Sequence, residues 1–266
     1  MYTDHFALTH YPFDKSLKPD ELFDSKATRE ATARLKHLVE LRGIGLLTGE
    51  PGCGKTTACR KLISGLHDGL YSIFYVPLST GNVMDAYKSI AWEMGLPTER
   101  SRAACYRVIR AEVTRLCLEN KKTPILIIDE AHHLRNDVLE DLRLMTNYEI
   151  DSVNRLCLLL VGLTEIRRRL SMAVHESFEQ RIVLKHHVGP LGRDELDAYV
   201  THHLKRAGTE LPLFSPDAQE AIYQATHGLP RRINRMCHYA LMAASAGKAK
   251  TVTAEHVEAA ASEVGP

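Results

Sequence analysis

The chain has 266 residues, of which 44% are hydrophobic; this is enough to bury a sizeable core and excludes a disordered or fibrous protein. Its 34 basic and 33 acidic side chains give a formal net charge of +1, so contact with nucleic acid would require a local basic patch. The longest apolar run, residues 156–163, is far shorter than the ~20 residues that span a bilayer, and we expect a cytoplasmic protein without direct membrane insertion.

Short apolar runs alternate with longer amphipathic segments along the first 190 residues. Near-continuous apolarity is typical of strands that are covered on both faces, which predicts a parallel sheet. The predicted strands are 44–49, 71–78, 124–130, 155–162 and 181–188. The predicted helices around them are 28–42, 55–67, 82–95, 101–120 and 135–149. This alternation of strand and helix predicts an α/β fold with a five-stranded parallel sheet.

The strand signal disappears after residue 190. Helical patterns follow over 192–207, 215–227, 230–246 and 253–263. We therefore predict two domains, an α/β domain over 1–190 and a small helical domain over 191–266.

The segment Gly49–Thr57 reads GEPGCGKTT and lies between the first predicted strand and a predicted helix. It fits the pattern G-x-x-x-x-G-K-[ST], whose glycines let backbone N–H groups surround phosphate oxygens at the start of a helix. Lys55 would reach the β and γ phosphates, and the hydroxyl of Thr56 would bind Mg²⁺. The alternative is a glycine turn that precedes Lys-Thr by chance. The predicted nucleotide-binding residues of the loop are Gly49, Pro51, Gly52, Cys53, Gly54, Lys55, Thr56 and Thr57.

An acidic pair follows the buried strand that ends in ILIIDE. Asp129 would hold Mg²⁺ together with Thr56, and Glu130 would polarise the water that attacks the γ phosphate. The alternative is a helix N-cap with an acidic first turn. The segment 120–123 reads NKKT and lacks the aspartate of a guanine-reading motif, so ATP is the predicted nucleotide. DEAH at 129–132 also occurs in helicases, but these need a second sheet domain, which the residues after 190 do not predict.

The chain contains 14 histidines, with adjacent pairs at 132–133, 186–187 and 202–203. Adjacent side chains point away from each other on strands and helices, and no further ligands follow at zinc spacing. We therefore predict no metal other than Mg²⁺.

Several segments together resemble the ExeA/TniB/TnsC group of AAA+ ATPases. They are 5–57, LIIDEAHHL at 126–134, LLLVGLTEIRRRL at 159–170, FEQRI at 178–182 and GLPRRINRMCHYAL at 228–241. The resemblance implies a P-loop NTPase fold with a helical lid. It also implies that ATP binds between the two domains and between neighbouring subunits.

The resemblance further implies roles for residues outside the glycine loop. Thr164 would sense the γ phosphate, and Arg181 would be an arginine finger that reaches the neighbouring subunit. Arg231 would be the lid arginine that contacts the phosphates of its own chain. An ordinary solvated arginine at a helix end is the alternative for Arg181.

Two branches of this group differ in their biological role. TniB- and TnsC-type proteins assemble on double-stranded DNA with ATP and recruit or activate a transposase. ExeA-type proteins carry the domain before a membrane span and act in secretion. Because the sequence stops after the lid, we expect an ATP-dependent regulator of transposition that forms rings or filaments and disassembles on hydrolysis. A secretion or envelope-assembly ATPase is the alternative, and a small-molecule kinase is a third class.

The distribution of charge favours a DNA-binding surface. Residues 99–122 contain seven basic and three acidic side chains, and residues 229–250 contain five basic and no acidic ones. An oligomer can bind the phosphate backbone through a few such contacts from each subunit. Ordinary solvated faces are the alternative. The candidate DNA contacts are Lys88, Arg100, Arg102 and Arg107.

Overall fold

A computed structural model describes residues 2–14, 16–77, 82–150 and 152–264. The chain forms two compact units. The sheet unit comprises Glu30–Pro51 and Lys55–Val188, and the helical unit comprises Met1–Arg29, Gly52–Gly54 and Gly189–Pro266. The division near residue 190 was expected from the sequence, whereas the grouping of the first 29 residues with the helices was not.

The sheet unit is built on a parallel sheet with the order β2-β3-β4-β1-β5. Its strands are Ile44–Gly49 (β1), Tyr71–Pro77 (β2), Thr123–Asp129 (β3), Cys157–Gly162 (β4) and Ile182–Val188 (β5). The predicted five-stranded parallel sheet is therefore confirmed. Leu78, which we included in the second strand, lies outside the described residues.

The strands differ in how far they are buried. All residues of β1, β3 and β4 are buried, whereas β2 is mostly half-buried and β5 alternates between buried and more exposed positions. The expectation that every strand is covered on both faces therefore holds only for the three central strands. Edge strands have one neighbour fewer, and their apolar sequence did not reveal this.

Helices connect the strands and form the helical unit. In chain order they are Tyr2–His5 (α1), Lys26–Leu41 (α2), Lys55–Ser64 (α3), Val83–Glu93 (α4), Arg102–Leu118 (α5), Asn136–Met145 (α6), Thr164–Leu170 (α7), Glu176–Glu179 (α8), Leu196–Arg206 (α9), Pro216–Thr226 (α10), Pro230–Ala246 (α11) and Ala254–Val264 (α12). A 3₁₀ turn over Ala131–His133 follows β3. None of the helices in the described part of the chain is both long and apolar enough to cross a membrane.

The N-terminal residues belong to the helical unit because their apolar side chains complete its core. Phe6, Leu8 and Phe13 are buried among residues of the last four helices. His203 of α9 is 2% exposed, and its Nδ1 donates to the carbonyl oxygen of Pro12 at 3.0 Å. Burial lowers the pKa of His203 to about 4, which keeps its imidazole neutral at physiological pH.

Candidate nucleotide-binding site

The glycine loop joins the end of β1 to the start of α3. Gly52 and Gly54 have φ angles of +80° and +107°, a region that side chains other than glycine rarely adopt. Lys55 is only 8% exposed, and its Nζ donates to the carbonyl oxygens of Gly49 at 3.1 Å and Glu50 at 2.9 Å. Both acceptors are neutral carbonyls, so the positive charge of the ammonium suits an anion such as phosphate.

Other loop residues differ in their accessibility. Pro51 is exposed, Thr57 is half-buried and Cys53 is 5% exposed. The burial of Cys53 indicates that this side chain fills space inside the loop.

A carboxylate from β3 meets a hydroxyl from α3 beside this loop. Asp129 is 6% exposed, and its Oδ2 accepts a hydrogen bond from the Thr56 hydroxyl at 3.3 Å. Its Oδ1 accepts from the backbone N–H of Glu130 at 2.8 Å. Carboxylate and hydroxyl oxygens are ligands that Mg²⁺ prefers. The two residues predicted to hold Mg²⁺ therefore lie next to each other in space. Their oxygen atoms are of the kind that binds this ion.

Tyr75 is a member of the site that the sequence did not reveal. It lies on β2, and its hydroxyl donates to Oδ2 of Asp129 at 2.7 Å. Burial and the hydrogen bond to this carboxylate raise the pKa of Tyr75, so the phenol keeps its proton. The strand order alone brings Tyr75 here, because β2 pairs in parallel with β3 and Pro77 lies opposite Asp129.

Glu130 lies at the point where β3 ends. Its backbone has φ +53° and ψ +33°, and its side chain is 55% exposed. The carboxylate makes no capping hydrogen bond to the 3₁₀ turn in the described structure, so the alternative role as a helix cap has no support in the geometry. Glu130 Oε2 lies 3.5 Å from Nδ1 of His132. The carboxylate of Glu130 is therefore accessible to solvent.

The histidine pair after Glu130 contradicts our expectation about adjacent side chains. The ring centroids of His132 and His133 are 4.1 Å apart. The two residues lie on a 3₁₀ turn that follows a left-handed residue, and this backbone does not separate neighbouring side chains as a strand or α-helix does. Burial, followed by the proximity of His133, lowers the pKa of His132.

Thr164 lies near the carboxyl ends of the parallel strands, whereas Arg181 lies near their amino ends. Thr164 is exposed and begins α7 just after the carboxyl end of β4. Asp129 is the last residue of β3, which pairs in parallel with β4, so both residues lie at the carboxyl ends of the strands. Arg181 precedes β5, whose first residue, Ile182, pairs with Ile44 at the amino end of β1. Arg181 therefore lies at the end of its own sheet that is opposite to the glycine loop.

Arg231 contacts Gly52 of the glycine loop, and both residues belong to the helical unit. Pro230 and Arg231 are the first two residues of α11. The backbone N–H of Arg231 donates to the carbonyl oxygen of Gly52 at 3.3 Å. A Cβ atom at Gly52 would lie 2.5 Å from the Cβ of Arg231, so this approach requires glycine.

The basic segment 99–122 is less available for DNA than its composition indicates. Arg102 forms a bidentate ion pair with Asp141, with Nε 2.8 Å from Oδ2. Asp141 is only 4% exposed and needs this partner, because an unpaired buried carboxylate is costly. Arg102 therefore has a structural role, and because its side chain is still 60% exposed, its contact with DNA stays a prediction. Lys88, Arg100 and Arg107 are exposed.

Two further arginines of this segment are held within the sheet unit. The guanidinium of Arg110 lies 4.1 Å from the ring centroid of Tyr148, and that of Arg115 pairs with Glu112 at 2.7 Å. By contrast, α11 presents Arg231, Arg232 and Arg235 on its exposed surface. Both segments therefore present exposed positive charge, although part of that of residues 99–122 is paired with acidic side chains.

Comparison with known proteins agrees with this geometry. A family profile described as AAA domain matches residues 38–170, half of the chain. The chain is 34% identical to general secretion pathway protein A of Aeromonas hydrophila over 267 residues, which cover 99% of this chain and 48% of that protein. It is 27% identical to ATP-dependent target DNA activator B of Escherichia phage Mu over 129 residues, which cover 48% of this chain and 39% of the phage protein.

The fold is also found in a solved structure. Cdc6p from Pyrobaculum aerophilum matches with a TM-score of 0.73 and 21% identity over 95% of this chain and 70% of that one. The chain spans about half the length, or less, of the curated relatives it matches. With its glycine loop, paired Thr56 and Asp129 and five-stranded parallel sheet, the chain belongs to the AAA domain family of P-loop ATPases.

Proposed function

We propose that the chain binds ATP with Mg²⁺, assembles on double-stranded DNA while the triphosphate is intact, and recruits or activates a transposase. Hydrolysis then drives disassembly. The observation that carries the ATPase part is the pairing of Thr56 with the buried carboxylate of Asp129 beside the glycine loop. When bound there, Mg²⁺ would neutralise negative charge on the phosphate oxygens.

The residues of the site divide the work of hydrolysis. Lys55 binds the terminal phosphates, and Glu130 orients the attacking water by accepting a hydrogen bond from it. Thr164, at the carboxyl ends of the strands, senses the γ phosphate, and Arg231 is the second arginine assigned to the phosphates. Arg181 lies at the amino ends of the strands, away from the glycine loop of its own chain. It therefore acts on the site of a neighbouring subunit, where it stabilises charge in the transition state.

The DNA part of the proposal has two supports. One is the similarity to the phage Mu protein, which is named an ATP-dependent target DNA activator. The other is exposed positive charge at Lys88, Arg100, Arg107 and along α11. A few contacts of this kind from each subunit add up in an oligomer that follows the phosphate backbone.

The second candidate function is assembly of a secretion or envelope complex. A specific observation favours it, since the similarity to general secretion pathway protein A is higher than that to the phage protein and extends over 99% of this chain. In that case the assembled ATPase would act on a protein complex and would not need DNA.

Light scattering separates the two candidates. We expect particles to grow only when ATP and duplex DNA are both present. Growth with ATP alone, unaffected by DNA, would support the secretion candidate, and no growth under any condition would refute both. Lys55→Ala should not assemble, whereas Glu130→Gln should assemble and remain assembled because it does not hydrolyse ATP. Genomic neighbourhood tests the partner, since a transposase gene beside this one supports transposition and a cluster of secretion genes supports the alternative.

A mixing experiment tests the action of Arg181 between subunits. Arg181→Ala and Lys55→Ala proteins should each be inactive as ATPases, because one lacks the arginine finger and the other lacks nucleotide. Mixed oligomers should recover activity at interfaces where an intact Arg181 faces an intact nucleotide site. If no activity is recovered at any mixing ratio, the assignment of Arg181 as an arginine finger between subunits is contradicted.

A further inference from the structure

Three side chains of types that can bind metal ions lie close together directly after β3. They belong to Glu130, His132 and His133, and one potential ligand atom of each lies within 4.8 Å of the others. Glu130 and His133 are exposed, so the cluster is accessible from solvent. His132 is mostly buried and forms the floor of the cluster.

The backbone that carries this cluster is held in place by a half-buried arginine. Nη1 of Arg169, on α7, donates to the carbonyl oxygen of His132 at 3.1 Å, and Nη2 donates to that of Leu134. These bonds hold the middle of the turn and the residue that follows it, and Oε2 of Glu130 lies 3.5 Å from Nδ1 of His132. The ligands are therefore largely preorganised, which lowers the cost of binding a cation.

The chemistry of the cluster indicates which cation it would take. One carboxylate and two imidazoles form a ligand set typical of Zn²⁺ and related transition metals, whereas Mg²⁺ prefers oxygen ligands alone. Nδ1 of His132 accepts the backbone N–H of Leu163 at 3.4 Å, so this nitrogen carries a lone pair. That bond is long and weak, and a cation could replace it.

We propose that Glu130, His132 and His133 form a binding site for a divalent transition-metal cation of the Zn²⁺ type. Cation binding engages the carboxylate of Glu130 and removes it from the water it would otherwise orient. The site itself rests on the geometry of these three residues alone. Its inhibitory effect on ATP turnover rests on the role proposed for Glu130.

Metal binding can be measured on the protein without nucleotide or DNA. Calorimetric titration with Zn²⁺ and absorption spectra with Co²⁺ would be compared for the parent chain, His133→Ala and Glu130→Gln. His133 is exposed, so its replacement should leave the fold intact, and circular dichroism checks this. The matched control is His187→Ala, which removes an exposed histidine from another adjacent pair.

We expect one cation per chain and an affinity that falls about tenfold or more in His133→Ala and in Glu130→Gln, but not in His187→Ala. The Co²⁺ spectrum should lack the charge-transfer bands of thiolate ligands, which excludes the cysteines. Equal Zn²⁺ affinity in the parent, His133→Ala and Glu130→Gln would overturn the proposal. Because ATP and DNA are absent, this failure is distinct from a failure of the proposed function.

The consequence for turnover is tested separately. Micromolar Zn²⁺ at saturating Mg²⁺ should inhibit ATP hydrolysis by the parent chain more strongly than by His133→Ala, each compared with its own rate without Zn²⁺. If metal binds but both proteins are inhibited equally, the site stands and its link to Glu130 chemistry is refuted.

Discussion

The hydroxyl of Tyr75 offers a sharp test of the proposed Mg²⁺ site. Tyr75→Phe removes the hydrogen bond of 2.7 Å to Oδ2 of Asp129 and leaves the rest of the side chain in place. Oδ2 is also the oxygen that faces Thr56, so this bond orients the carboxylate toward the second proposed ligand. The bond from the N–H of Glu130 to Oδ1 remains, and Asp129 should therefore stay at the site.

The size of the effect follows from the kind of bond that is lost. A hydrogen bond to a charged group contributes about 1.5–3 kcal/mol, and partners of metal ligands typically change metal affinity about 10- to 100-fold. Tyr75 is only half-buried, so water can replace part of its hydrogen bond. We therefore expect the lower end of the range, a loss of about tenfold in affinity for the divalent cation.

Electron paramagnetic resonance with Mn²⁺ as the probe and a non-hydrolysable ATP analogue measures this affinity without turnover. The matched control is Tyr71→Phe on the same face of the same strand, since the Tyr71 hydroxyl has no hydrogen-bond partner among the described residues. The Mg²⁺ concentration for half-maximal ATPase activity should rise by the same factor in Tyr75→Phe. Equal Mn²⁺ affinity in both variants would refute a positioning role for Tyr75.

Other predictions concern the loop and the helical unit. Lys55→Ala should lose ATP affinity about 100-fold or more in a fluorescent-nucleotide titration, because the loop loses its only lysine charge at the phosphates; unchanged affinity would place the nucleotide elsewhere. Gly228→Ala should lower the free energy of unfolding by about 1–3 kcal/mol, since Gly228 has φ +73° and a Cβ would overlap the carbonyl oxygen of Leu191. Gly95→Ala isolates the backbone cost, because Gly95 has φ +69° and its Cβ would meet nothing within 4 Å; equal losses in urea denaturation would exclude the overlap. For His203, the pKa in the folded chain lies below that in the unfolded chain, so its contribution to stability is complete above about pH 6.5 and is lost as the pH falls toward 4. The loss is about 3 kcal/mol, and His203→Gln should flatten the pH dependence of unfolding in this window by that amount.

Local patterns were sufficient to predict the position of the glycine loop between a strand and a helix. A glycine loop between a strand and a helix places Lys55 and Thr56 by chain connectivity alone, and the acidic pair follows a strand whose apolar run is unmistakable. The five strands could be recognised because each carries a local apolar run, although only the three central strands are fully buried. Similarity to known proteins then confirmed the family.

Contacts between distant segments decided the remaining features. Tyr75 reaches Asp129 because β2 pairs with β3, and Arg102 is paired because α6 carries a buried Asp141. The N-terminal aromatic residues complete the core of the helical unit, although they precede the first strand in the sequence.

The sequence by itself determined which residues are candidates to bind phosphate, Mg²⁺ and water, since that chemistry depends on residue types at short spacing. Only the tertiary structure decided which arginines remain available and where Arg181 lies relative to its own site. It also brought His132 and His133 together, against the prediction from α-helix and strand geometry. The physical reason is that strand pairing, burial and the local backbone of a turn depend on the whole fold, and residue spacing along the chain does not encode them.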